Sequence, residues 1–164
     1  MTLSTLTYDS PVGPLGLVAD DDALIAVLWP TEAEGRVRLA ETPTANTDHP
    51  VLRATASQLG EYFAGTRRSF DLPLDPSGTE FQRQVWWSLA EIPFGETSTY
   101  GKQAAAIGRP AAVRAVGAAN GRNPLSIVLP CHRIVGADGK LTGFAGGLDT
   151  KRWLLDHEAK VAAG

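Results

Sequence analysis

The only cysteine among 164 residues, Cys131, stands in the stretch VLPCHRIV, with Pro130 before it and His132 and Arg133 directly after it. A lone cysteine is either a small buried hydrophobe or a nucleophile. The second role needs the thiolate, and a thiol that ordinarily titrates near about 8.5 is brought down by an adjacent base or positive charge. His132 is the residue type that takes such a proton, and Arg133 adds positive charge beside it. A base works best when a carboxylate orients it. Glu158 is of the right type, but separation along the chain does not show that it reaches His132. Both readings of Cys131 stay open on the local residues alone.

Composition bounds what such a residue can serve. The chain is long enough for one ordinary domain, or one domain with a small second lobe. Its 43% hydrophobic and 20% charged residues are those of a folded globular chain. No apolar run approaches the roughly 20 residues that cross a bilayer, and the opening MTLSTLTYDSPVG lacks the basic-then-apolar character of a signal peptide. One cysteine excludes an internal disulfide framework and any CxxC-type zinc site. The expectation is a protein of the reducing cytoplasm.

The net charge of -3 hides an asymmetry. Residues 1–78 carry five Arg against eleven Asp and Glu, whereas residues 79–164 carry ten Lys and Arg against seven acids. Thr97 to Ala137 contains no acid at all, yet holds Lys102, Arg109, Arg114, Arg122 and Arg133. Such a stretch is either a solvated basic face or the footprint of an anionic partner.

The elements that must position these residues divide into two parts. Residues 3–29 read as short antiparallel strands, LSTLTY, LGLVA and ALIAVLW, broken at DSPVGP and DDD. A loose loop follows from RVRLAETPTANTDHP. A helix is then expected from Pro50 to Ala64, with Val51, Leu52, Leu59, Tyr62 and Phe63 as its apolar stripe and Gly65 as its stop. SFDLPLDPSG reads as a linker with an edge strand. Beyond it, Thr79 caps a helix carrying Phe81, Val85, Trp86 and Leu89. A short helix from Thr99 to Ile107 breaks at Gly108, and Pro110 opens another from Ala111 to Asn120, a helix-turn-helix pattern. A last helix starts at Asp149 as its cap and carries His157 on a solvated face.

The helix AAVRAVGAAN is nearly all small residues, with Arg114 as its only long and only charged side chain. It is either a tightly packed internal helix or one built to approach DNA closely, even in a minor groove only roughly 6 Å wide. In the second case Arg114 would reach into the base stack as a wedge.

Taken together, FQRQVWWSLAEIPFGETSTYG, AAVRAVGAANGRNP, IVLPCHRIVGADG and GGLDTKRWLLDHE resemble, in order and spacing, the blocks of the O6-alkylguanine-DNA alkyltransferases. The resemblance covers about residues 79–158, and the acidic first half is compatible with that family's variable N-terminal lobe. It implies an α/β (α+β) chain. Residues 1–78 would form a ribonuclease-H-like lobe, a small antiparallel sheet with a helix, plus a linker. Residues 79–164 would form a mainly helical DNA-binding and alkyl-acceptor domain containing the helix-turn-helix.

The resemblance also implies roles. Cys131 would take the alkyl group from guanine O6 and keep it, so each molecule acts once. His132 would draw the thiol proton, Glu158 would orient His132, and Tyr100 would donate to the departing guanine. Asn123 would fix the loop behind the site. The cysteine cannot reach O6 inside a duplex, so the nucleotide must be extruded. Arg114 would fill the gap, Tyr100 would also contact the DNA, and Gly101, Arg109 and Gln82 would lie at the DNA backbone. Val135, Phe144 and Ala145 would line the substrate pocket. Phe144 and Ala145 stand where some relatives carry tyrosine and serine, which bears on the range of substrates. The implied partner is double-stranded DNA carrying O6-alkylguanine, bound by a protein that is a monomer in solution and can assemble on DNA. O4-alkylthymine is a further implied substrate. No cofactor is implied, and no zinc, because the N-terminal part offers His49 and no cysteine. Two other classes remain in play: a lesion-binding regulator without chemistry, and a cysteine hydrolase built on Cys131, His132 and Glu158.

Overall fold

Alternating apolar residues near the N-terminus build three antiparallel strands, β1 (Ser4–Ser10), β2 (Gly13–Ala19) and β3 (Leu24–Leu28), in the computed structural model, which describes residues 2–164. The first hairpin is tighter than the turn residues suggest. Pairing runs up to Ser10 opposite Gly13, leaving only Pro11 and Val12 in the turn. Ser10 makes this possible, because its hydroxyl donates to Gly13 O (2.6 Å) and accepts from Val12 N–H (3.1 Å).

The loop beyond β3 holds more structure than its sequence announces. A two-residue strand, β4 (Thr44–Ala45), lies parallel to β1 and completes the order β3-β2-β1-β4. It is exposed and too short to show any periodicity. Both faces of the sheet are covered. Leu15, Leu17 and Ala19 enter the main core, while Leu3, Val18 and Ala26 pack on the opposite face under Val37 and Leu39. The linker does add an edge, since Leu24 bridges Leu74 in parallel and bonds Pro73 O and Asp75 N–H.

Helix α1 (Pro50–Phe63) packs on β1 and β2 through Leu52, Thr55, Leu59 and Tyr62, a spacing of three and four that marks one helical face. His49 is its cap, with Nδ1 accepting from Val51 N–H at 3.1 Å. In the second half, α2 (Glu80–Ser88) starts at Thr79 with a full capping box, in which Gln82 answers Thr79. A two-residue strand β5 (Ser98–Thr99) leads into α3 (Tyr100–Ala106) and pairs in parallel with β6 (Ile134–Val135), next to the cysteine turn. Neither two-residue strand is visible as a pattern in the sequence.

The helix-turn-helix pair is present, with one boundary corrected. Gly108 adopts φ +76° and turns the chain after α3. Helix α4 spans Val113–Gly121 instead of residues 111–120. Pro110 and two alanines offer no capping side chain, so the chain first closes a tight turn, Ala112 N–H to Arg109 O at 2.9 Å. The last helix, α5 (Leu148–Ala163), likewise starts before Asp149. Its cap is Gly147 at φ +91°, a conformation glycine alone adopts cheaply, and Asp149 lies in the first turn, where its charge complements the helix dipole. His157 is not on a solvated face. It is half-buried, stacks on Trp153 at 5.1 Å and bonds Tyr62 O at 2.8 Å.

One apolar core runs through both halves, from Leu15 and Trp29 to Val116, Ile134 and Leu154. Trp86 Nε1 donates to Ala119 O (2.7 Å), tying α2 to α4. A buried amide pair ties α3 to α4: Asn120 Nδ2 donates to Gln103 Oε1 (2.7 Å), and Gln103 Nε2 donates back at 3.1 Å. Replacing one partner strands the other in an apolar site. Gln103→Leu is therefore expected to cost about 1–3 kcal/mol in urea unfolding, and Gln103→Leu/Asn120→Leu less than the sum of the single changes.

Candidate active site

The local sequence around Cys131 is held in an unusual backbone. Ile127 sits at φ +73°, a real outlier for a β-branched residue. The chain then turns sharply, with Cys131 N–H on Leu129 O at 2.8 Å, into a 3-10 turn over Cys131–Arg133. Asn123 stabilises this loop from inside: fully buried, it donates to Leu129 O (2.8 Å) and accepts from Leu125 N–H (3.0 Å). The N-terminal half holds the same loop from outside. Val27 N–H bonds Pro124 O (2.8 Å), and Trp29 Nε1 donates to Ser126 Oγ (3.0 Å). Arg36, paired with Glu32, donates to Asn123 O at 2.9 Å.

The chemistry-bearing residues meet where the sequence could only nominate them. His132 and Glu158 are 0% and 1% exposed, and His132 Nε2 lies 2.7 Å from Glu158 Oε2. A carboxylate accepts, so Nε2 carries the proton and Nδ1 is the lone-pair nitrogen. Nδ1 is buried without a hydrogen-bond partner among the described residues. Arg133 does not lend its charge to the thiol. It forks onto Glu158, Nε to Oε1 at 2.8 Å and Nη2 to Oε2 at 3.2 Å. Arg133 therefore also leaves the basic surface, on which Lys102, Arg109, Arg114 and Arg122 remain exposed.

Electrostatics follow from this burial. Desolvation pushes the Cys131 thiol up, opposed by the Asn123 hydrogen bond and the charges of Lys151 and Arg36. Desolvation also lowers His132, keeping the imidazole neutral at rest despite the Glu158 carboxylate. Burial alone would raise the Glu158 carboxyl, but hydrogen bonds and charge from His132 and Arg133 outweigh it and hold it at about 2. The site at rest is a thiol, a neutral base with a free nitrogen, and an ionised carboxylate.

Cys131 is only 8% exposed and opens on a cavity of ≈ 40 Å³ shared with Tyr100, Phe144 and Ala145. That volume holds about one water and is too small for a purine. Tyr100 Oη lies 2.6 Å from Thr142 Oγ1. Val135 is buried in β6 and does not line the cavity. Arg114, Gly101 and Arg109 lie exposed on the α3–α4 face, outside this cluster, and Arg109 stacks over Phe81 at 5.6 Å. The side-chain oxygen of Gln82 is committed to the α2 cap.

Three residues escaped the sequence reading. Tyr62 donates from α1 to Glu158 Oε2 at 2.6 Å. Lys151, 1% exposed on α5, faces Cys131 and donates to Thr142 O at 3.2 Å. Arg36 lines the cavity from the N-terminal half, and its Nη2 is buried without a hydrogen-bond partner among the described residues. Tyr62 reads as part of an apolar stripe, and Lys151 and Arg36 carry no local signal, so nothing in the sequence marked them.

Among the described residues, no helix is long and apolar enough to cross a membrane, and no group of His, Cys, Asp and Glu could hold a metal. Two family models match the chain. Residues 5–76 match the 6-O-methylguanine DNA methyltransferase ribonuclease-like domain, and residues 80–160 match the DNA binding domain of the same proteins. The methylated-DNA–protein-cysteine methyltransferase of Methanosarcina acetivorans is 48% identical over 92% of this chain and 95% of its own. That of Mycolicibacterium paratuberculosis is 48% identical over 94% of this chain and 91% of its own. The structure of Mycobacterium tuberculosis OGT in complex with DNA superposes with a TM-score of 0.83 at 43% identity, covering 98% of this chain and 94% of that one. With both halves matched and near half of all residues identical, the chain belongs to the 6-O-methylguanine DNA methyltransferase family.

Proposed function

We propose that this protein repairs DNA directly, moving an alkyl group from guanine O6 to Sγ of Cys131, once per molecule. The observation that carries the reading is the buried His132, bonded to Glu158 through Nε2 with Nδ1 left free, directly after a cysteine that opens on the cavity shared with Tyr100. The thiol proton passes to His132 Nδ1, and Glu158 balances the imidazolium so formed. Sγ attacks the alkyl carbon, the S–C bond forms as the C–O6 bond breaks, and Tyr100 helps the guanine leave uncharged by donating a proton. The product is a thioether. Unlike an acyl-enzyme it offers water no carbonyl, which is why turnover ends there.

The division of labour is part of the proposal. Residues 1–78 hold the site in place, and residues 79–164 bind DNA and accept the alkyl group. The exposed cations of α3 and α4 and the absence of bulk on α4 support minor-groove docking by residues 113–121, with Arg114 replacing the extruded base. Gly101, Arg109 and Gln82 serve the phosphates, Gln82 through the free end of its amide. Phe144 and Ala145 line the opened pocket, with Val135 behind it. The same pocket is proposed to accept O4-alkylthymine. The protein works as a monomer that can assemble on DNA. Its single unpaired cysteine suits a reducing cytoplasm.

Duplex DNA containing O6-methylguanine is expected to add one methyl group per molecule, found on Cys131 by peptide mass mapping. Cys131→Ala should bind the lesion yet accept nothing, and turnover of an ester or peptide instead would replace repair with hydrolysis. Arg114→Ala should slow repair of the duplex by on the order of 10- to 100-fold, the equivalent of losing a wedge worth about 1.4–3 kcal/mol, while its reaction with free O6-benzylguanine stays near normal. Methylated Cys131 should overpack a site with room for about one water. The alkylated protein is expected to be about 1–3 kcal/mol less stable by thermal melting.

A further inference from the structure

We infer that Tyr62, a residue of the N-terminal half, is a positioning residue for proton removal from Cys131: its hydroxyl holds Glu158 Oε2 against His132 and limits how strongly that carboxylate draws a proton onto the imidazole. This role presupposes that Cys131 is the alkyl acceptor and His132 its base.

The geometry is specific. Glu158 Oε2 receives Tyr62 Oη at 2.6 Å, His132 Nε2 at 2.7 Å and Arg133 Nη2 at 3.2 Å, while Oε1 receives only Arg133 Nε at 2.8 Å. The phenol and the imidazole therefore share one oxygen, and each bond weakens the other's claim on its charge. Tyr62 cannot swing away. Its fully buried ring is caged by Phe63 (5.1 Å), Phe70 (5.7 Å), Phe94 (6.1 Å) and His157 (5.3 Å). Burial, reinforced by the Glu158 charge, pushes the phenol far above its usual range, so it is a permanent donor. The other charged groups facing Tyr62, Glu158 and His132 are Arg133 on the 3-10 turn and Lys151 on α5; His157 meets the Tyr62 ring. Among the described residues that bond the Glu158 carboxylate, Tyr62 is the one from the N-terminal half.

The proton balance gives the sign of the effect. Before attack the proton leaves Cys131 Sγ for His132 Nδ1, and Glu158 and Tyr62 keep their own protonation states. A His132 that is already protonated cannot take it, so the rate falls as pH drops through the His132 pKa. Removing the Tyr62 hydroxyl leaves Oε2 a stronger acceptor toward His132, which raises that pKa and moves the fall to higher pH.

The test is the pH profile of methyl acceptance from duplex O6-methylguanine. Tyr62→Phe, which keeps the ring, should move the acid limb up by roughly 0.5–1 pH unit. In a Glu158→Gln background the same change should move it no further, because Tyr62 acts through that carboxylate. Phe70→Leu loosens the cage but keeps the hydroxyl, and should lower the melting temperature without moving the limb. Should Tyr62→Phe fail to fold, 3-fluorotyrosine at position 62, a stronger donor of nearly the same size, should move the limb to lower pH. Superimposable limbs, an equal shift in the Glu158→Gln background, or a matching shift in Phe70→Leu would each overturn the role. If the unaltered protein accepts no methyl group at any pH, it is the repair reading that fails. If it does accept one and the limbs coincide, only Tyr62 is misassigned.

Discussion

The buried carboxylate of Glu158 is the constraint around which the rest is arranged. An ionised group with 1% exposure is tolerable only if its lone pairs are taken, and here an arginine, a histidine and a tyrosine take them. The three come from different places: Tyr62 from α1, His132 and Arg133 from the turn after Cys131, and the carboxylate from α5. Removing one partner of such a buried pair typically costs about 3–5 kcal/mol. The network that holds His132 thus also fastens the last helix to the first.

The N-terminal half takes part in the site despite contributing no nucleophile. It grips the loop from Asn123 to Leu129 through Val27, Trp29 and Arg36, and so holds the segment in which Ile127 is strained at φ +73°. A backbone of that kind persists only when its surroundings over-determine it. Asn123 supplies the grip from within and the sheet edge supplies it from without. The acidic half is in this sense a clamp on the cysteine loop, with its surplus negative charge turned to solvent.

The charge asymmetry has a structural resolution. Lys102, Arg109, Arg114 and Arg122 lie on the exposed surface of the helix pair, whereas Arg133 is spent internally on Glu158. Smallness along α4 has two uses. Inside, Ala119 lets Trp86 reach its carbonyl, and Gly117 lies against the Tyr100 ring. Outside, the helix offers no bulk beyond Val113 and Arg114. The packed-helix reading of AAVRAVGAAN therefore holds for its inner face, whereas its outer face is exposed.

Much of this was legible in the residues themselves. Three strands, the helix after His49, the Thr79 cap and the Gly108 break follow from apolar period and turn chemistry, which are local. Cys131, His132, Asn123, Glu158, Tyr100 and Arg114 were nominated from residue type, and from the resemblance that gave each a role. Helix starts shifted at Ala111 and Asp149 because capping depends on φ, which glycine and proline neighbours set case by case. The strands β4, β5 and β6 are too short to carry a period, and only pairing with distant backbone makes them strands. Tyr62, Lys151 and Arg36 were invisible for a related reason: a side chain's role depends on what it meets across the fold. In sequence Tyr62 is one more apolar residue on a helix, 96 positions from Glu158. The sequence by itself determined which chemistry was present and which local elements carry it. Only the tertiary structure decided that Arg133 faces the carboxylate and not the thiol, and that the acidic half reaches that same carboxylate through Tyr62, because hydrogen bonds between buried groups are set by three-dimensional packing and not by spacing along the chain.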